Sequence, residues 1–254
     1  MVRIGTSGYS FKDWRGTFYP EDIAQKDMLG FYAARFDIVE VNATYYRLLP
    51  AATFQTMADK TPDGFGFVVK TNQATTHQGE DENVVKEFRE SLQPLMDAGK
   101  FLGVLAQFPW GFRDTAQNRD YLVACRERMR DIPYFVEFRH ASWLTPEVGD
   151  LLRGNQLGYV CVDEPQIGQM VPPIATATTD TGYIRFHGRN EHTWWNKGAG
   201  DRYDYLYSED ELEEWVTKIR KVIEKTKDIY IFFNNCHAGQ APKNAQQLKL
   251  MLGA

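Results

Sequence analysis

Cysteine is scarce. The 254-residue chain carries three, Cys125, Cys161 and Cys236. No two stand in a CxxC spacing, which argues against a thiolate zinc site. An odd, sparse count suits a reducing compartment, so a cytoplasmic setting is expected. No stretch approaches the ~18 uninterrupted apolar residues of a membrane span. The opening MVRIGTSGYS has no basic stretch followed by an apolar run, so no leader is expected. A basic surplus is missing as well: 29 Lys plus Arg face 34 Asp plus Glu, for a net charge of −5. That removes the broad positive footprint as an argument for nucleic acid. There is no P-loop, GxGxxG or HExxH, so nucleotide cofactors have no positive signal.

What is present is ordinary globular composition, 43% hydrophobic and 25% charged, with one excess: aromatics reach 14%. The length suits an α/β barrel, and 1–254 reads as one such domain. Eight short runs rich in β-branched and aromatic residues recur, starting at Val2, Asp37, Phe65, Phe101, Pro133, Leu157, Gly182 and Asp228. Helical patterns are expected between most of them, at 22–35, 51–59, 82–98, 117–130, 145–153 and 208–225, with a last one at 241–252. Ser208 and Glu211 form a capping-box pair, and Thr145-Pro146 is a helix start. Asn244 is a candidate cap for the last helix. The link QIGQMVPPIATATTDT, with Pro172-Pro173 and its threonines, is not a helix pattern. Strand and helix alternating eight times imply parallel strands with crossovers. The fold expected is a TIM-type (β/α)8 barrel with the helix between strands six and seven missing or irregular. A doubly wound open sheet is the alternative, but it usually carries the Gly-rich fingerprint this chain lacks.

In such a barrel every strand's C-terminal end opens on one face, and there the polar residues collect. Ser7 ends the first strand, and Glu40 and Asn42 the second. Lys70 and Asn72 end the third, and Gln107 the fourth. Glu137, Arg139 and His140 end the fifth; Asp163 and Glu164 the sixth. Arg185, His187 and Arg189 end the seventh, and Asn234 and Asn235 the eighth. Alternation places Glu40 with Asn42, Lys70 with Asn72, Glu137 with Arg139, and Arg185 with His187 and Arg189. The bland reading is an ion network plugging the barrel, Glu40, Glu137 and Asp163 against Lys70, Arg139 and Arg185. Buried ion pairs barely repay their desolvation, so such a cluster is a poor choice for stability alone.

These strand ends fall within longer motifs: GTSGYSFKDWRGTFYP, FDIVEVNATYYRLLP, VKTN with His77 soon after, LAQFPWGF, VEFRHASW, VDEP, IRFHGRN, YDYLYSEDEL and FFNNCHAGQAPKNA. Together, in this order and across nearly the whole chain, they resemble the YecE-like domain-of-unknown-function 72 family. The resemblance implies a TIM-type barrel and no particular activity.

The leading chemical reading is acid/base work on an anionic, phosphate- or carboxylate-bearing substrate. Glu40, Glu137, Asp163 and His187 are its candidate catalytic groups. Ser7, Asn42, Lys70, Gln107, Arg139, Arg185, Arg189, Asn234 and Trp194 are its candidate binding groups. An alternative is metal-dependent phosphodiester hydrolysis, a divalent metal on Glu40, Glu137, Asp163 and His187 with His77 or His140; the crowded cations oppose it. Glycoside hydrolysis would use two carboxylates with Trp110, Trp143, Trp194 and Trp195 as platforms. Non-enzymatic ligand or nucleic-acid binding would use the 187–208 loop. It mixes Arg189, Lys197 and Arg202 with Trp194, Trp195, Tyr203 and Tyr205. The same loop, with Gly198 and Gly200 as hinges, also reads as a lid. Cys236 beside His237 is a weak dyad candidate, because neighbours on a strand end face opposite ways.

Overall fold

Eight parallel strands close on themselves in chain order. The computed structural model describes residues 1–77, 82–195 and 201–254. The strands are β1 (Val2–Ser7), β2 (Ile38–Val41), β3 (Gly66–Lys70), β4 (Phe101–Gln107), β5 (Tyr134–Glu137), β6 (Leu157–Asp163), β7 (Thr181–Phe186) and β8 (Asp228–Phe233). The helices are α1 (Met28–Ala33), α2 (Ala51–Asp59), α3 (Gln73–Thr76), α4 (Glu82–Ser91), α5 (Gln93–Asp97), α6 (Ala116–Arg128), α7 (Pro146–Gly154), α8 (Glu209–Ile223) and α9 (Gln240–Leu252). This is the TIM-type barrel the alternation implied.

Local chemistry sets several helix starts. Thr115 and Thr145 accept from backbone N–H groups of the first turns of α6 and α7. Ser208 and Glu211 complete the capping box of α8. Other expectations shift. The helix expected at 22–35 forms only from Met28, after a turn in which Ile23 N–H bonds Pro20 O. The one expected at 82–98 divides at Leu92, where Pro94 enters the first turn of α5 and cannot continue the α4 ladder. Asn244 caps nothing. It is buried inside α9, where its side chain clamps the backbone of Tyr207 from both sides, at 3.1 and 2.9 Å. Gly239 stands at the start of α9 instead.

The link from β6 to β7 carries no helix, as its prolines require. Its threonines cover β6 instead. Thr178 Oγ1 accepts from Tyr159 N–H at 2.8 Å and donates to Leu157 O at 2.5 Å. Thr176 N–H and carbonyl both meet the Cys161 thiol. Hydroxyls thus satisfy groups that an ordinary crossover helix would shield.

Register sorts inside from outside, because paired residues on parallel strands face one way. Phe135, Tyr183, Tyr230 and Phe232 meet inside the barrel, with ring centroids 4.9–6.4 Å apart. They fill the interior below the strand ends and form the floor on which the polar residues stand. Phe186, one step out of phase with Tyr183, faces outward onto Trp215 of α8 at 5.1 Å. Asp163 pairs in register with Phe186 and therefore faces outward too.

Candidate functional site

The site is assembled around Arg185, which is buried in the barrel mouth. Its Nη1 donates to Glu137 Oε2 at 2.5 Å and its Nη2 to Glu40 Oε1 at 2.6 Å. Ser7 Oγ lies 3.4 Å from Nη2. Tyr183, two residues earlier on the same inward face, donates its hydroxyl to Glu40 Oε2 at 2.6 Å. Glu137 Oε1 accepts from Arg139 Nη2 at 2.6 Å and lies 3.1 Å from His187 Nε2. Arg139 Nη1 reaches Glu164. Asn234 Nδ2 lies 3.0 Å from His187 Nδ1, and His187 Nε2 faces both Glu137 Oε1 and Arg139 Nη2, each at 3.1 Å.

This wiring fixes the charges. Burial alone would raise the Glu137 carboxyl, but Arg139 and Arg185, with His187, outweigh it and hold it well below the carboxylate range. Burial and Arg139 take His187 down to about 3, so it is neutral at physiological pH. Burial, opposed by Arg139, pushes Glu164 up to about 8. Lys70 differs from the arginines. Its Nζ donates to Gln107 Oε1 at 3.0 Å and lies 4.4 Å from the Tyr45 ring centroid. Among the described residues it makes no ion pair. Burial, then Arg185, brings it down to about 7 against the pull of Glu137 and Glu40.

Above the network opens a cavity of about 980 Å³. Its cations are Arg47, Lys70, Arg139, Arg185 and Arg202, and no Asp or Glu lines it among the described residues. Tyr45, Trp110 and Trp194 stand in its walls. Two guanidiniums approach the Trp194 ring, Arg139 and Arg202, each 5.6 Å from its centroid. Among the described residues the side-chain N–H groups at Arg139 Nε, Arg185 Nε and Trp110 Nε1 are buried without a partner.

Most of the candidate residues are therefore brought together. Ser7, Asn42, Lys70, Gln107, Arg139, Arg185, Asn234 and Trp194 line the cavity. Glu40, Glu137 and His187 lie buried behind that lining. Asp163 and Arg189 are not part of it. Asp163 accepts from Trp215 Nε1 at 2.6 Å, Tyr207 OH at 2.7 Å and Arg189 Nε at 2.9 Å, on the outer side of the barrel against α8. Glu164, one residue on and of opposite parity, takes the place expected of Asp163. Arg189 lies beyond the end of β7 and does not follow the strand alternation. Asn72 caps α3 through Ala74 N–H, and His140 accepts from Ser142 N–H and bonds Gln169; both roles are structural. The Cys236 thiol turns to Ser7 O while His237 lies near Asp204, so the two form no dyad.

The sequence reading missed Tyr183 and Tyr45. Carrying the alternation one step back from Arg185 finds Tyr183; Tyr45 sits on a turn of 3₁₀ helix that carries no period. Lys197, Gly198 and Gly200, the basic and hinge positions of the 187–208 loop, lie outside the described residues. A divalent metal finds no fitting donor set: no group of three or more His, Cys, Asp or Glu side chains among the described residues could hold one. Glu40, Glu137 and Glu164 are committed to guanidiniums instead. Among the described residues no helix is long and apolar enough to cross a membrane.

A closed parallel barrel with a charged, aromatic-walled mouth at its strand ends defines a TIM-barrel protein with its site where that fold places function. The chain belongs to the family described as protein of unknown function DUF72, which matches residues 3–254. It is 34% identical to the UPF0759 protein YunF of Bacillus subtilis, over 99% of this chain and 95% of that protein. It resembles the crystal structure of a DUF72 family protein from Thermotoga maritima at a TM-score of 0.91, with 41% identity and all of both chains covered. A DUF72 family protein from Enterococcus faecalis gives 0.90 at 29% identity, covering 100% of this chain and 96% of that one.

Proposed function

We propose that the barrel mouth binds a small phosphate- or carboxylate-bearing anion and transforms it by proton transfer. The observation that carries this reading is the one-sided lining: among the described residues it holds five cations, Arg47, Lys70, Arg139, Arg185 and Arg202, and no carboxylate. An anionic group entering the cavity meets positive charge with no carboxylate on the lining to repel it. Glu40 and Glu137 act here as positioning residues. Each accepts from Arg185 and so fixes the guanidinium before the ligand arrives. Ser7, Asn42, Gln107 and Asn234 supply neutral polar contacts, and Tyr45, Trp110 and Trp194 enclose the apolar part of the ligand. Lys70 is the group open to the cavity whose proton is most readily exchanged near neutral pH. Three buried, unpaired thiols support a reducing, cytoplasmic setting.

Calorimetric titration with inorganic phosphate, oxalate and citrate tests the reading. At least one should bind the wild type, and Lys70→Met should weaken it by about tenfold or more, the order expected for one charge-assisted contact. Failure of all three to bind, or affinity unchanged in Lys70→Met, overturns it.

A further inference from the structure

We infer that Lys70 is a nucleophile and that the anion taken by this site carries an aldehyde or ketone, which Lys70 captures as an imine. The inference rests on the anion reading above and names its substrate class.

Three observations carry it. First, Lys70 lines the cavity, and its only polar contact among the described residues is Gln107 Oε1, an acceptor that leaves the nitrogen open to the cavity. Second, the neighbouring carboxylates are taken. Glu40 and Glu137 are held by Arg185, and Glu137 and Glu164 by Arg139. Among the described residues Lys70 is the cation of the cluster, beside Arg139 and Arg185, that lacks a direct counter-ion. An amine withdrawn from water beside fixed guanidiniums gives up its proton more readily, which makes the free base, the form that attacks carbonyls, available near neutral pH. Its lowering to about 7 agrees with that surrounding. Third, the terminal nitrogens of Arg139 and Arg185 are already spent on Glu40, Glu137 and Glu164, so of the three cations at this end of the cavity it is the Lys70 amine that can make a new bond to a ligand.

The step balances without any redox partner. The Lys70 Nζ lone pair forms a bond to the carbonyl carbon, and the carbonyl π pair moves to oxygen, which gains a proton as nitrogen loses one. The carbinolamine C–O bond then breaks, the hydroxyl leaves as water with a second proton, and the C=N bond forms. Tyr45 and His77 line the same wall, with ring centroids 5.2 Å apart. Burial raises the Tyr45 phenol, keeping it a proton donor.

The test uses the full chain with glyoxylate and sodium cyanoborohydride at pH 7, followed by peptide mass spectrometry. Hydride addition to the imine carbon leaves a carboxymethyl group on the lysine that formed it. Lys70 should be modified at least about tenfold faster than the exposed lysines, whose amines are almost wholly protonated at that pH. Oxalate, an anion without an attackable aldehyde, should protect it. Modification of Lys70 at the rate of exposed lysines, with oxalate still bound by calorimetry, overturns the imine and leaves anion binding standing. Absence of both overturns the two readings together.

Discussion

Arg185 holds Glu137 and Glu40 at once, one on each terminal nitrogen, at 2.5 and 2.6 Å. All three side chains are buried. Removing one partner of such a pair strands a charge out of water and costs about 3–5 kcal/mol, a large share of the roughly 5–15 kcal/mol that holds a domain folded. Glu137→Ala should therefore lower the urea midpoint strongly, whereas Lys70→Met should shift it little. A Glu137→Ala protein as stable as wild type would show that the network is not the structural centre of the mouth. Loss of ligand in Arg185 or Glu137 variants accordingly reports stability as well as binding, and Lys70 is the cleaner probe.

Asp163 tests the opposite assignment. It accepts hydrogen bonds from Trp215, Tyr207 and Arg189 on the outer side of the barrel. Asp163→Asn should cost about 1.5–3 kcal/mol, the worth of hydrogen bonds to a charged group, discounted on the Arg189 side because that arginine is about a quarter exposed. Oxalate affinity should stay at the wild-type value. Calorimetry showing a large loss of affinity in this variant would return Asp163 to the site.

How far the mouth can be read from sequence follows the strand period. Inside β2, β3, β4, β5 and β7, alternation correctly groups Glu40, Lys70, Gln107, Glu137 and Arg185, because paired strands hold every second residue to one face. Past the strand ends it still holds for Asn42, Arg139 and His187 but not for every residue. Arg189 lies beyond the ladder of β7, and Asn72 has already become a helix cap. On β6 the error is one of phase. All seven strand residues are buried, so no polar–apolar contrast marks the inward face, and only the pairing of Asp163 with Phe186 reveals it. The aromatic excess gains two locations, the floor of Phe135, Tyr183, Tyr230 and Phe232 and the walls around Trp194. A composition count cannot separate them.

His187 makes the fold sensitive to acid. Its folded value lies near 3 because it is buried against Arg139, below the usual histidine value of 6.5. The unfolded chain therefore binds the proton first as pH falls. The stability this neutral histidine contributes is complete above about 6.5 and is lost progressively toward 3, at no more than about 1.4 kcal/mol per pH unit. His187→Gln should remove this contribution, so that between pH 6.5 and 4.5 the variant's stability falls less, or rises more, than the wild type's as acid is added, while the opposite slope from Glu164, held near 8, is present in both proteins. Unfolding curves of equal slope in both proteins would place the histidine's proton elsewhere.

Lys70 ties binding to pH in two opposed directions. Its ammonium attracts an anion, and its free amine attacks a carbonyl. With the folded value near 7, the ammonium form predominates at pH 6 and the amine at pH 8. A bound anion favours the ammonium, so oxalate, which stays doubly ionised across this range, should bind progressively more weakly as pH rises through 7. The limiting fall is about tenfold per pH unit. Glyoxylate trapping at Lys70 should rise over the same interval and level off, because the fraction of free amine then approaches one. Lys70→Met should give a shallower oxalate profile, keeping only the slope that Glu164, held near 8 beside Arg139, imposes, and should remove the trapped peptide. An oxalate profile in the wild type as flat as in the variant would mean that this amine does not titrate in the mouth, and both behaviours would lose their common cause.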